Sequence, residues 1–169
     1  MGIKSYIVNF LKFLKHGGVK YVSVTFTNPD ARYTNKKVFI SGGSEGLGRA
    51  MAKAYLAEGA EVIVTGRSKE KLSNFQLSES NAKLHTLVWD ALDFDSYKQK
   101  FDEAVSMMGR IDIFVNNVGG GMSKYEPWNA YTAEVLDRTY DINTKSMFLM
   151  CQMEGLYICL LYTSPSPRD

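Results

Sequence analysis

Residues 36–48 read KKVFISGGSEGLG, and the pattern RAMAKAYLAEGA follows at once over residues 49–60. Four of the eight residues from Ser41 to Gly48 are glycine. At the carboxyl end of a strand, glycines let the backbone turn tightly and approach a ligand closely. A helix starting near Gly46 then aims unpaired N–H groups at that ligand. The same residues would also serve a plain strand-to-helix turn, so the surroundings must choose between the two readings.

Outward from this loop the chain alternates two periodicities. VFIS (38–41), EVIVT (61–65), LHTLVW (84–89) and IDIFV (111–115) are short β-branched runs that predict strands. Leu47, Ala50, Met51, Ala54 and Tyr55 form a helical stripe ending at Gly59, and Tyr97, Phe101, Ala104, Val105 and Met108 form another ending at Gly109. Strands apolar enough to be buried on both faces, in βαβα order, predict a Rossmann-type doubly wound parallel sheet with helices on both faces. In that setting the glycine loop sits at the carboxyl edge of the sheet and becomes a phosphate cradle.

Composition bounds the rest. The chain has 169 residues, 45% hydrophobic and 22% charged, which suits one soluble globular domain. The formal net charge of +2, with basic residues scattered, argues against a nucleic-acid surface. The two cysteines, Cys151 and Cys159, leave the body of the chain without a disulfide framework, so a reducing, cytoplasmic setting is expected. No cluster suggests a metal site. Apolar runs are too short to span a membrane.

At the amino end, Ile3, Tyr6, Ile7, Phe10, Leu11 and Leu14 recur at helical spacing with Lys4, Lys12 and Lys15 off the stripe. This helix packs on its own domain or a second subunit, or lies on a membrane surface. Asn9 and Lys12 break a secretory signal, and Tyr6 stands where a myristoylation signal needs Ser or Thr.

The glycine spacing is G-x-x-x-G-x-G, at Gly42, Gly46 and Gly48. With Ser41-Gly42-Gly43-Ser44-Glu45-Gly46-Leu47-Gly48 matching T-G-x-x-x-G-x-G, Ser replacing Thr, the sequence resembles the short-chain dehydrogenase/reductase family. Asp90-Ala91, Asn116-Asn117-Val118-Gly119 and Asp141-Ile142-Asn143 resemble three further motifs of that family, in its order, between about Lys36 and Gly155. The resemblance implies cofactor contacts at Gly42, Ser44, Glu45, Gly46, Leu47, Gly48, Asp90, Ala91, Asn117, Val118 and Gly119. It also implies that Asn143 is catalytic, interrupting its helix and holding a water in a proton relay.

The residues carry readings of their own. Asp90 ends an apolar strand, where its carboxylate accepts from an adenine amino group or caps the following turn. Asn116 and Asn117 end the fourth strand, where ligands of open α/β sheets bind, and Asn before Gly is also ordinary turn chemistry. Glycines 119–121 suit a loop lying close against a nicotinamide ribose. Asn143 falls on the stripe Leu136, Tyr140, Met147, Phe148, Cys151, where a buried amide must find partners.

Cofactor choice hangs on VTGRS at the end of the second strand. An acidic residue there would hold the ribose hydroxyls of NAD; Arg67 and Ser68 instead suit a 2′-phosphate, so NADP is favoured, with NAD the alternative. Glu45 opposes this, since many NADP-preferring relatives carry a basic residue there and a carboxylate repels phosphate unless it points away.

The resemblance implies hydride exchange with a small-molecule carbonyl or alcohol, with a Tyr four residues before a Lys exchanging the proton. Those residues are expected beyond Asp169. Neither Tyr157 nor Tyr162 has a lysine four residues on. The expected organisation is an N-terminal extension (1–35), an incomplete dinucleotide-binding domain (36–155), truncated before the later strands, and a non-native tail (156–169) in which LYICLLYTSPSPRD replaces a fifth strand. Such a chain is expected to be inactive and to aggregate, leaving IDIFV as an apolar edge. The full-length parent is expected to be a homo-oligomer. The competing function is a dinucleotide-binding module without catalysis. Met122, Tyr125 and Trp128 line a substrate pocket or cover the core, and the substrate itself is not legible.

Overall fold

The computed structural model describes residues 31–120 and 131–159. The N-terminal stripe from Ile3 to Leu14, the loop residues Met122, Tyr125 and Trp128, and the tail from residue 160 lie outside them. Four strands, β1 (Lys37–Ser41), β2 (Glu61–Gly66), β3 (Leu84–Val88) and β4 (Ile113–Asn116), form one parallel sheet in the order β3-β2-β1-β4. Helices α1 (Gly46–Ala57), α2 (Lys69–Glu79) and α3 (Tyr97–Met108) occupy the crossovers. After β4 come α4 (Ala133–Tyr140), a π-helical turn (Asp141–Lys145) and α5 (Ser146–Cys159).

Strand alternation divides the core into two layers, as the two-sided pattern predicts. Val38, Ile40, Val62 and Val64 point to one face and pack with Ala52 and Leu56 of α1 and Leu72 and Phe75 of α2. Phe39 and Ile63 point to the other and pack with Phe101, Ala104 and Met108 of α3 and Met150 of α5. There Phe39 stacks on Phe101 at 5.3 Å and on Phe114 at 5.1 Å between centroids. Fully burying such a ring is worth about 1.5–3 kcal/mol, so these contacts anchor α3 and β4 to the sheet.

Two helices are rotated from their predicted stripes. In α1 the buried residues are Gly48, Ala52 and Leu56, while Leu47 is 70% exposed. Small residues win this face because they let the helix axis sit close to the strands. In the last helices Leu136, Tyr140, Met147, Phe148 and Cys151 are exposed, and Ser146 and Met150 are buried instead. The described residues offer α5 a partner on one side, the α3 layer, where Tyr157 lies 5.3 Å from Phe101 and its phenol meets Asp102. The second stripe holds: Tyr97, Phe101, Ala104 and Met108 are all buried.

Beta-4 pairs with β1 alone among the described strands and is half-buried along its length. Helix α5 runs through residues 155 and 156 to Cys159. Residues 31–35 fold back on α1, with Tyr33 edge-on to Tyr55 at 4.8 Å and its N–H donating to the Glu58 carbonyl at 3.1 Å. Among the described residues no helix is long and apolar enough to cross a membrane.

Candidate functional site

The strand order reverses between β1 and β4, so the loops leaving their carboxyl ends part and open a crevice. A cleft of about 620 Å³ lies there, and Gly42, Ser44, Arg67, Asp90, Ala91, Asn117, Val118 and Gly119 are among the residues that line it. Glu45 and Ser68 line an adjoining recess. Gly46, Leu47, Gly48 and Asn143, expected there from the sequence, line neither.

Ser41 ties the two loops together. Its buried hydroxyl accepts from the N–H of Asn117 at 2.9 Å and of Val118 at 3.2 Å. Asn117 answers with its side-chain amide, donating to the carbonyls of Ser41 at 3.2 Å and Gly42 at 2.8 Å. Glycine is required at 48 because a Cβ there would lie 2.3 Å from the Gly42 oxygen and 2.6 Å from Nδ2 of Asn117. Gly46 differs: its φ is +54°, and a Cβ would meet nothing within 4 Å. No side chain caps the first turn of α1, although Glu45 stands at the cap position. Positive-φ glycines, open space and an uncapped helix start form a concave set of N–H donors, which suits a diphosphate.

Further along the cleft, Asp90 accepts from the Leu92 N–H at 3.0 Å, so it does cap the turn it begins while still lining the cleft. Behind it the buried Tyr97 hydroxyl donates to the Ala91 carbonyl at 2.6 Å. Burial, followed by the Asp90 charge, pushes that phenol upward and keeps it protonated as a donor. The indole N–H of Trp89 donates to Ser96 at 3.0 Å, fixing the cleft wall between β3 and α3.

Asn143 sits in the π-helical turn, which breaks the regular helix as the resemblance implies. It is exposed rather than buried as its place in the apolar stripe suggests, because that stripe faces away from the core. Its amide is nonetheless engaged: Nδ2 donates to the carbonyls of Gly120 at 2.7 Å and Thr139 at 2.8 Å, and Oδ1 accepts from the Gly120 N–H at 3.2 Å. Asn116 reaches the same helix by donating to the Met147 carbonyl at 3.2 Å.

Sequence reasoning missed parts of the wall: Trp89, Leu92, Val135, Arg138, Thr139 and Ile142 also line the cleft. Trp89 and Ile142 neighbour predicted residues, but nothing local marks Val135 or Arg138. One spacing it passed over is Tyr33-x-x-x-Lys37. Lys37 begins β1 at the amino edge and pairs with Glu61, so this pair lies at the opposite edge of the sheet from the cleft.

A family model described as short chain dehydrogenase matches residues 36–155. Over 124 residues the chain is 31% identical to a 7alpha-hydroxysteroid dehydrogenase of Bacteroides fragilis, covering 72% of this chain and 46% of that protein. Over 127 residues it is 35% identical to levodione reductase of Leifsonia aquatica, covering 73% and 47%. A crystal structure of a short chain dehydrogenase from Bacillus anthracis superposes with a TM-score of 0.70 at 30% identity, covering 76% of this chain and 51% of that one. The chain thus spans about half the length of the proteins it matches.

Proposed function

From a chain that belongs to the short-chain dehydrogenase family, we propose the cofactor-binding part of an oxidoreductase that prefers NADP and exchanges hydride with a carbonyl or alcohol substrate. The observation that carries this reading is the cleft at the β1/β4 switch point, walled by the glycine turn on one side and by Asp90 and Arg67 on the others. The donor set fits the group. The amides at the start of α1 would hold the diphosphate, Asp90 and Ala91 the adenine, and Arg67 with Ser68 the 2′-phosphate.

Bound there, a nicotinamide supplies the site that gives or takes the hydride. This chain's own residues position it. Asn117 and Ser41 fix the floor of the cleft, and Asn143 clamps Gly120 by its backbone, so the loop after β4 is held against α4 and the π turn. That clamp supports a positioning part for Asn143, which acts through the Gly120 backbone on the place where substrate and nicotinamide would meet.

Trp89 in the wall is a built-in reporter. Titrating the full chain with NADP and then NAD while following tryptophan emission should give saturable quenching with both and tighter binding of NADP. No saturable response to either would overturn the reading.

A further inference from the structure

Ser44, Glu45, Arg67, Ser68 and Lys71 line the second recess, about 380 Å³ in volume, and Ser44 and Arg67 belong to the main cleft as well. The recess therefore continues the cleft past the end of β2, where ribose hydroxyls are read in this fold. Its charges are arranged unusually. Among the described residues nothing pairs with the Arg67 guanidinium, whereas the Lys71 ammonium lies 2.6 Å from a carboxylate oxygen of Glu45. The Ser68 hydroxyl accepts from the Lys71 N–H at 3.3 Å, which sets Lys71 in the first turn of α2 and leaves the hydroxyl proton to donate.

Both members of the pair are more than half exposed, at 52% and 61%. An ion pair in that setting gains little from staying closed, and an ammonium on a flexible stem is easily redirected. A phosphate entering the recess carries more charge than the Glu45 carboxylate and offers three acceptor oxygens. The two anions compete for one cation.

We infer that Lys71 is a phosphate ligand held in reserve by Glu45, and that this pair sets how strongly the site prefers a 2′-phosphorylated nucleotide over its unphosphorylated counterpart. The inference rests on the dinucleotide reading above. With a free 2′-hydroxyl the pair stays closed and the recess shows only the Arg67 charge. With a 2′-phosphate, Lys71 transfers to it, and Glu45 is left as a nearby negative charge that lowers the preference without abolishing it. The residue that opposes NADP in the sequence is thereby the one that keeps a second cation in reach.

The test is calorimetric binding of adenosine 2′,5′-bisphosphate and 5′-AMP to the full chain at low salt, read as the ratio of the two Kd values. Lys71→Met should cut that ratio about tenfold, the size of one charge-assisted contact. Glu45→Gln should raise it by about fivefold. The deciding measurement is Lys71→Met in the Glu45→Gln background, where an ammonium that touches the phosphate still costs about tenfold when lost. A lysine that merely neutralises Glu45 would be silent there, and silence overturns the inference. Loss of selectivity in Arg67→Met with none in Lys71→Met also overturns it while leaving the dinucleotide reading intact. Failure of the unaltered chain to bind either nucleotide overturns both. Circular dichroism of each variant shows that a lost ratio comes from a folded protein.

Discussion

Gly46 and Gly48 stand two residues apart and are constrained for different reasons. At Gly48 an added methyl collides with the Gly42 carbonyl and the Asn117 amide, so the helix must back away from the loop it supports. Gly48→Ala should cost about 2–3 kcal/mol, the upper range for overpacking against backbone. At Gly46 an added methyl meets open space and only the positive φ resists it, so Gly46→Ala should cost about 1 kcal/mol. Urea denaturation of the two variants checks the order; equal losses would mean that steric fit at Gly48 is not the constraint. The sequence marks both as motif glycines, yet it cannot rank them. Part of the obstacle at Gly48 is a side chain from residue 117, brought beside the Gly42 carbonyl by strand order.

At the scale of elements, the amino edge of the sheet is held by carboxylates. Burial pushes the Glu61 carboxyl up, but hydrogen bonds from Lys37 and His85 outweigh it and hold it below its ordinary 4.5. Asp112 is similar: burial raises it, while Arg110 and the Lys37 N–H, donating at 2.8 Å, bring it below 3.8. These groups join β1 to β2 and to the residue just before β4. A carboxylate whose folded pKa is depressed adds stability that is fully present above its unfolded pKa and is lost as pH falls through the folded value. The chain should therefore be equally stable, as far as these groups go, from neutral pH down to about 5, and weaken progressively below the ordinary carboxylate values. In Glu61→Gln/Asp112→Asn the denaturation midpoint should be lower at pH 7 and fall less steeply below pH 5. An unchanged acid slope would show that other carboxylates govern it.

At the scale of the whole molecule, the exposed large apolar side chains among the described residues are concentrated in the last helices. Tyr140 and Phe148 are 60% and 62% exposed, Leu136 and Leu156 more than half, and β4 has one free edge among the described residues. Surfaces of this kind drive association. Replacing Leu136 and Phe148 by Lys should shift the chain toward smaller species in sedimentation velocity without altering its circular dichroism. An unchanged size distribution would show that this surface does not drive association. Much of this molecule was already legible in the chain. Strand runs, the glycine spacing and the βαβ order determined the parallel sheet, its two-sided core and the edge at which the cleft opens, because these follow from local residue type and periodicity. Only the tertiary structure decided which face of α1 and α5 is buried, that Asn143 clamps Gly120, and that Lys71 meets Glu45. Periodicity shows that a helix has a stripe, but how it is turned, and which distant side chains touch, is settled by what the sheet order places beside it.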